Sequence, residues 1–247
     1  MARLHFVARL ALPALVIGSL CGSARADVVT TFTGVDPFQT ADVSATRNGT
    51  TRSINDTTVG VFNFVVTNDG GTGLGPTIRS FCADFFQDVS VGNPYTFTPV
   101  AFSALPDVNG NATKISKVTE LYDRYYDVAT TPQNAAAFQL ALWEILYDPT
   151  TTNLSSGNFR ASDNPGAISL AQGWLNTIGN PGIPDPARKY NLTGLLSATG
   201  QDQIVPSGEP IPAPAGVVLL AIGAVGLVVR RRLAGKKQDA VAPEAVA

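Results

Sequence analysis

The spacing of apolar and polar positions changes near Thr113. Upstream, three runs are rich in Val, Thr, Phe and Tyr: VVTTFTGV (28–35), TVGVFNFVVT (58–67) and YTFTPVAF (95–102). They read as strands, with TRNGTT and TNDGGTGLG supplying turn residues between them. Phe62, Phe64 and Val66 put one apolar face on even positions, and RSFCADFF places Cys82 on a strand or at its end. Downstream the spacing is helical. Thr113 is a candidate cap for a helix over Lys114 to Tyr126, with Ile115, Val118, Tyr122 and Tyr125 on one face. Thr131 and Pro132 open a second helix, and Asp148-Pro149 ends it. After a polar loop from Thr150 to Asp163, Asn164-Pro165 opens a third helix with Ile168, Ala171, Trp174, Leu175 and Ile178 inward, closed by Gly179. Leu192 to Val205 predicts one short returning strand, and Pro206 begins a linker. Strands, then helices, then a strand predict an α+β fold: a β-rich N-terminal portion packed with about three helices.

The second helix is the unusual element. In AAAFQLALWEILYD (135–148), Phe138, Ala141, Leu142 and Ile145 form one face, and Leu140, Trp143, Leu146 and Tyr147 fill most of the rest. A helix that is apolar all round is buried. Only Gln139 and Glu144 interrupt it. Burying a primary amide unpaired costs on the order of 1–3 kcal/mol, so Gln139 requires a partner. Glu144 and Asp84 read most simply as solvated or helix-adjacent charges, with assistance in proton transfer as the alternative, and Trp143 reads as core.

Both ends read as addresses. Arg3 and Arg9, the apolar run Leu10 to Leu20, and Ala24-Arg25-Ala26 predict a signal peptide over 1–26, cut before Asp27. Cys21 raises a lipoprotein alternative, but Leu20 stands where that processing needs a small side chain. At the other end, Ala215 to Val229 is fifteen residues without a charge, followed by Arg230, Arg231 and Arg232. As a helix it would rise about 22 Å, short of a ~30 Å hydrocarbon core, so it predicts a marginal membrane segment with a cytoplasmic basic tail over 230–247.

Composition then narrows the chemistry. Between Asp27 and Gly208 there are nine basic against sixteen acidic residues, a net −7 that the basic ends mask in the whole chain. An acidic ectodomain argues against nucleic acid as a partner. The single histidine, His5, lies in the signal segment, so the mature chain has no imidazole for a catalytic triad or a metal site. It keeps one cysteine, Cys82, and an odd cysteine in a secreted chain implies an intermolecular disulfide, a free thiol or something rarer.

Two resemblances follow. Residues 206–214, with Glu209, Pro210, Pro212 and Pro214, then the apolar span and the arginine cluster, resemble the PEP-CTERM sorting signal. That signal implies release toward the cell surface by an exosortase. Gly208, where the signal has proline, leaves the sorting enzyme and its cleavage point open. Phe81-Cys82 at a strand, followed 57 residues later by Gln139-x-Ala141-Leu142-Trp143 on a buried helix, resembles the thioester domain of bacterial surface adhesins. The resemblance implies an ectodomain (27–205) in which the Cys82 thiol and the Gln139 side chain condense into an internal thioester. Phe81, Asp84, Ala141 and Trp143 would form the supporting pocket. Amines on a target surface would attack the linkage.

Three functions stand on these residues: an adhesin with a reactive thioester, a structural or glycan-binding component of an exopolysaccharide matrix, and a secreted glycosidase. The last needs only two carboxylates, and Asp84, Asp88, Asp123, Asp127, Glu144 and Asp148 are available without a spacing that selects a pair. The expected class is therefore a non-enzymatic surface or matrix protein, without cofactor or metal. Its predicted partners are an exosortase, the membrane, and an amine-bearing or polysaccharide surface.

Overall fold

Asn48 and Gly49 both have positive φ, 51° and 78°, the conformation that a tight two-residue hairpin turn requires. They join the two longest strands, β1 (Val28–Arg47) and β2 (Thr50–Asn68). The structure, a computed structural model, describes residues 26–207. The expected signal peptide, sorting motif, membrane segment and basic tail lie outside those residues. Among the described residues no helix is long and apolar enough to cross a membrane.

The glycine-rich segment 70–75 connects β2 to β3 (Thr77–Cys82), with positive φ at Gly70, Gly71, Gly73 and Gly75. β4 (Pro94–Ala101) follows. β5 (Phe159–Ser162), β6 (Asn191–Ser197) and β7 (Gln203–Ser207) come from the second half of the chain. The pairing order β2-β3-β7-β6-β4-β1, together with the β1–β2 hairpin, returns on itself as a ring of antiparallel strands. β5 pairs beside the hairpin end of β1, with Val43 opposite Ala161.

Three expectations need correction here. The last strand is two, β6 and β7, because Thr199-Gly200 turns the chain and Asp202 receives the Ser197 amide at 2.8 Å. Pro206 and Ser207 belong to β7 rather than to a linker. The loop 150–163 contains β5, whose Phe159 and Ala161 are buried while Arg160 and Ser162 face out. That alternation spans only four residues, too few to stand out from the polar residues around it.

Among the described residues three α-helices accompany the sheet, which makes the fold α+β. α1 (Ala112–Tyr125) is capped by Asn111, whose side chain accepts from the Lys114 amide, and not by Thr113. α2 (Pro132–Tyr147) starts as expected, with Thr131 accepting from the Asn134 amide and Pro132 in the first turn. α3 (Pro165–Leu175) is capped by Asn164 and stops three residues before Ile178. The chain then turns through Gly179 at φ 70°, whose amide donates to Glu120. Ala167 takes the inward position expected of Ile168, which is half-buried. α2 is the core. Every residue from Ala135 to Tyr147 is buried, and the helix packs on β1, β2, β5, α1 and α3.

Candidate functional site

Cys82 is the last residue of β3. The β2–β3 ladder ends at Phe62 opposite Ser80. The Ala83 amide turns toward β7 and donates to the Asp202 carbonyl at 2.8 Å. Backbone groups of successive strand residues point to opposite sides. The N–H and C=O of Cys82 therefore face the side that β2 has vacated, buried and without a strand partner. Gln139 fills that gap. The Cys82 amide donates to Gln139 Oε1 at 2.8 Å, and Gln139 Nε2 donates to the Cys82 carbonyl at 2.9 Å. A carboxamide carries a donor and an acceptor in the arrangement of a peptide group, so the side chain continues the ladder by one step. Both residues are 0 % exposed.

The two site residues expected from the sequence are thus brought together, with the amide engaged by the backbone of Cys82. The thiol itself donates to the Asp84 carbonyl at 3.2 Å. Burial, and then the Asp84 carboxylate, push the Cys82 thiol well above its ordinary pKa, so it is protonated at neutral pH. The Trp143 indole works against this shift. Its N–H is buried and has no partner in hydrogen-bonding geometry, yet it stands near enough to favour the thiolate.

The expected supporting residues are all buried around the pair. Phe81 lies against Phe138 with ring centroids 4.1 Å apart. Ala141 is on the same helix as Gln139, and Trp143 meets Phe85 edge-on at 5.2 Å. Asp84 and Glu144 contradict the reading of solvated charges. Asp84 is buried because it closes the turn after β3, accepting from the Phe86 amide at 2.8 Å and from Arg47 at 3.1 Å. Glu144 Oε1 accepts from the Asn153 amide at 2.8 Å and so holds the loop after α2, while Oε2 is buried and unpartnered. Burial raises the Glu144 pKa to about 8.

Beside the pair lies a polar cavity of about 690 Å³ that was not anticipated. Arg47 bridges Asp84 and Asp107 at 3.1 and 3.0 Å. The Tyr147 hydroxyl donates to Asp107 at 2.8 Å and accepts from the Phe85 amide at 2.9 Å. Asp202 completes this wall. The one legible signal for it was Tyr147, a polar tip ending an apolar helix. Arg47 ends β1 beside the hairpin turn, and nothing local marks it as a partner of Asp84.

The other carboxylates considered for hydrolysis have structural partners. Asp88 holds Arg52, Asp123 accepts from the Lys189 and Tyr190 amides, Asp127 meets Tyr190 and Lys189, and Asp148 accepts from Asn158. Asp42, half-buried on β1, and the exposed Asp56 and Asp163 bring carboxylate oxygens within 4.8 Å of one another and could hold a cation, although exposed acidic groups commonly gather without one.

No protein-family model matches the chain, and no curated protein matches it. Among solved structures, the chain is similar to the thioester domain of the Staphylococcus aureus TIE protein, at 13 % identity and a TM-score of 0.38. The match covers 61 % of this chain and 53 % of that one, so the chain spans about half the length of that structure. A likeness this loose assigns no role to any residue.

Proposed function

We propose that this is an exported surface or matrix protein whose ectodomain carries an internal thioester between Cys82 and Gln139. The observation that supports it is the buried clamp, in which the reacting carboxamide is anchored on the residue that bears the only thiol of the ectodomain. In the condensation, Sγ bonds to the carboxamide carbon. Nitrogen leaves as ammonia, carrying the thiol proton with its own two. The Cys82 amide already donates to Oε1, where negative charge gathers as the carbon becomes tetrahedral, and a fixed donor at that point lowers the barrier. Holding both groups in one fold supplies a high effective concentration. Burial keeps water from the product. A target amine would reverse the exchange, forming an amide with Gln139 and returning the proton to the Cys82 sulfur. A thiol of raised pKa is a poor leaving group, which would make the linkage slow to open and long-lived.

Intact mass of the isolated chain tests the proposal. The bond lowers the mass by about 17 Da, one ammonia lost in acyl transfer, and methylamine restores it with a further gain. A full mass with a thiol that titrates freely after unfolding overturns it.

A second reading has a specific observation in its favour: every polar group of the pair is satisfied without a covalent bond. On that reading Gln139 is a structural lock, and the protein is a non-covalent, non-catalytic component of an extracellular matrix that binds polysaccharide. Equal retention of the parent and of Cys82→Ala on the matrix polymer would favour it. Both readings take the protein through a signal peptide and a sorting enzyme of the exosortase type, with the C-terminal segment holding it at the membrane beforehand.

A further inference from the structure

The cavity beside Cys82 holds an imbalance of charge. Asp84 and Asp107 share Arg47, and Lys114 donates its ammonium to the Asp107 carbonyl at 2.6 Å. Asp202 has no cation within ion-pair distance among the described residues. Its Oδ1 accepts one bond, from the Ser197 amide at 2.8 Å, and Oδ2 has no hydrogen-bond partner there. The residue is only 3 % exposed, yet it lines the cavity. A carboxylate taken out of water without a counter-charge is costly, and the one direction from which a partner can reach it is the cavity.

We infer that this cavity is a binding site for a primary ammonium group, with Asp202 as its counter-ion and the Tyr147 and Asp107 wall as its polar rim. The cavity is far larger than an ammonium, so it also admits the carbon stem that carries one. A lysine side chain and an amino sugar share this chemistry. Asp202 precedes Gln203, which pairs with Cys82, and its charge acts on the thiol. The site is therefore adjacent to the pair. Only the consequence that it collects the amine to be captured rests on the thioester proposal.

Protonation of Asp202 should release the ligand. Burial raises its pKa to about 6, with the Ser197 amide opposing, Asp84 and Asp107 adding to the rise, and Arg47 opposing it. The other titratable groups facing the cavity are Lys114 and the Tyr147 hydroxyl; the Cys82 thiol, on which Asp202 acts electrostatically, is not part of the lining. Burial holds the Tyr147 hydroxyl and the Cys82 thiol protonated at neutral pH, and it lowers the Lys114 pKa, with Asp107 opposing.

The test titrates the full chain carrying Cys82→Ala, which cannot capture an amine covalently, with n-butylammonium, followed by calorimetry or NMR. Saturable binding is expected, at least tenfold weaker in Asp202→Asn and at least tenfold weaker at pH 5 than at pH 7.5, with butanol inert. Binding that is absent, or insensitive to both Asp202→Asn and pH, overturns the inference. The pH arm decides if Asp202→Asn fails to fold. Parallel titrations with Nα-acetyl-lysine methylamide and glucosamine separate the two sources by which binds more tightly. If the intact mass shows no thioester while butylammonium binding depends on Asp202, the cavity assignment stands and the covalent proposal falls. If a thioester is found and no ammonium binds, the covalent proposal stands and the cavity assignment falls.

Discussion

Replacing Gln139 by Glu changes one atom of the clamp and turns it into a pH-dependent element. A neutral carboxylic acid can accept from the Cys82 amide and donate to the Cys82 carbonyl, as the carboxamide does at 2.8 and 2.9 Å. An ionised carboxylate cannot donate, and it sets a charge against that carbonyl at a position that is 0 % exposed. Burial and the donated bond both favour the neutral form, so the folded-state pKa rises above the unfolded value of about 4.3. The stabilising contribution of the neutral form is then fully present below pH 4.3 and is lost as pH rises through the folded value. Buried carboxyls reach shifts of 3–5; taking roughly 3, at about 1.4 kcal/mol each, gives a loss of about 4 kcal/mol above pH 7. That is a large share of the ~5–15 kcal/mol that holds a typical domain together. Urea unfolding of parent and variant from pH 4 to 8 measures it. Near-equal stability at pH 4 and a gap of roughly 4 kcal/mol at pH 8 are expected. A variant as stable as the parent at pH 8 would refute the clamp, because it would mean that the side chain at 139 reaches water.

Glu144→Gln should act in the opposite sense. Glu144 titrates near 8 in the fold, so the parent loses stability as pH climbs from the unfolded carboxyl value through 8. The variant should be more stable by up to about 5 kcal/mol at pH 9, the gap closing toward pH 4, by thermal unfolding across pH. Tyr147→Phe removes the acceptor of the Phe85 amide and the donor to Asp107, and should cost about 1–3 kcal/mol in urea unfolding. Gly60→Ala should be severe. A Cβ there would run into the Pro37 carbonyl and the Phe38 Cα and Cβ. Because Gly60 pairs with Phe38 across the long hairpin, neither backbone can yield, and a loss of about 3 kcal/mol or more should show as a lowered melting temperature.

The starts of α2 and α3 were legible because each begins with a side-chain cap followed by proline, a combination that acts through three or four adjacent residues. The cap of α1 was misplaced by two residues because Asn111 and Thr113 are both competent, and only the entry of the chain from Gly110, at φ 66°, selects the first. What no local pattern carries is the closure of the strand ring. The pairings β3–β7 and β4–β6 join residues about a hundred positions apart, and β7 reads as an apolar run interrupted by Pro206.

The same division runs through the site. Gln139 was conspicuous because an amide on an all-apolar helix has to be answered by something, and Cys82 because it is the one thiol of the ectodomain. Asp84, Glu144 and Asp202 were not conspicuous. A carboxylate looks solvated until distant chain supplies its neighbours, even where, like Glu144, it interrupts an apolar helix: Arg47 from the hairpin for Asp84, Asn153 from the loop after α2 for Glu144, and for Asp202 only the nearby Ser197 amide. That difference gives the site its direction. Arg47 bridges the two carboxylates on one side of the cavity, and Asp202, nearest the Cys82 strand end, has no cation in ion-pair contact among the described residues. An incoming cation is drawn to that side of the pair, while the aromatic side made by Phe81, Phe138 and Trp143 keeps water out.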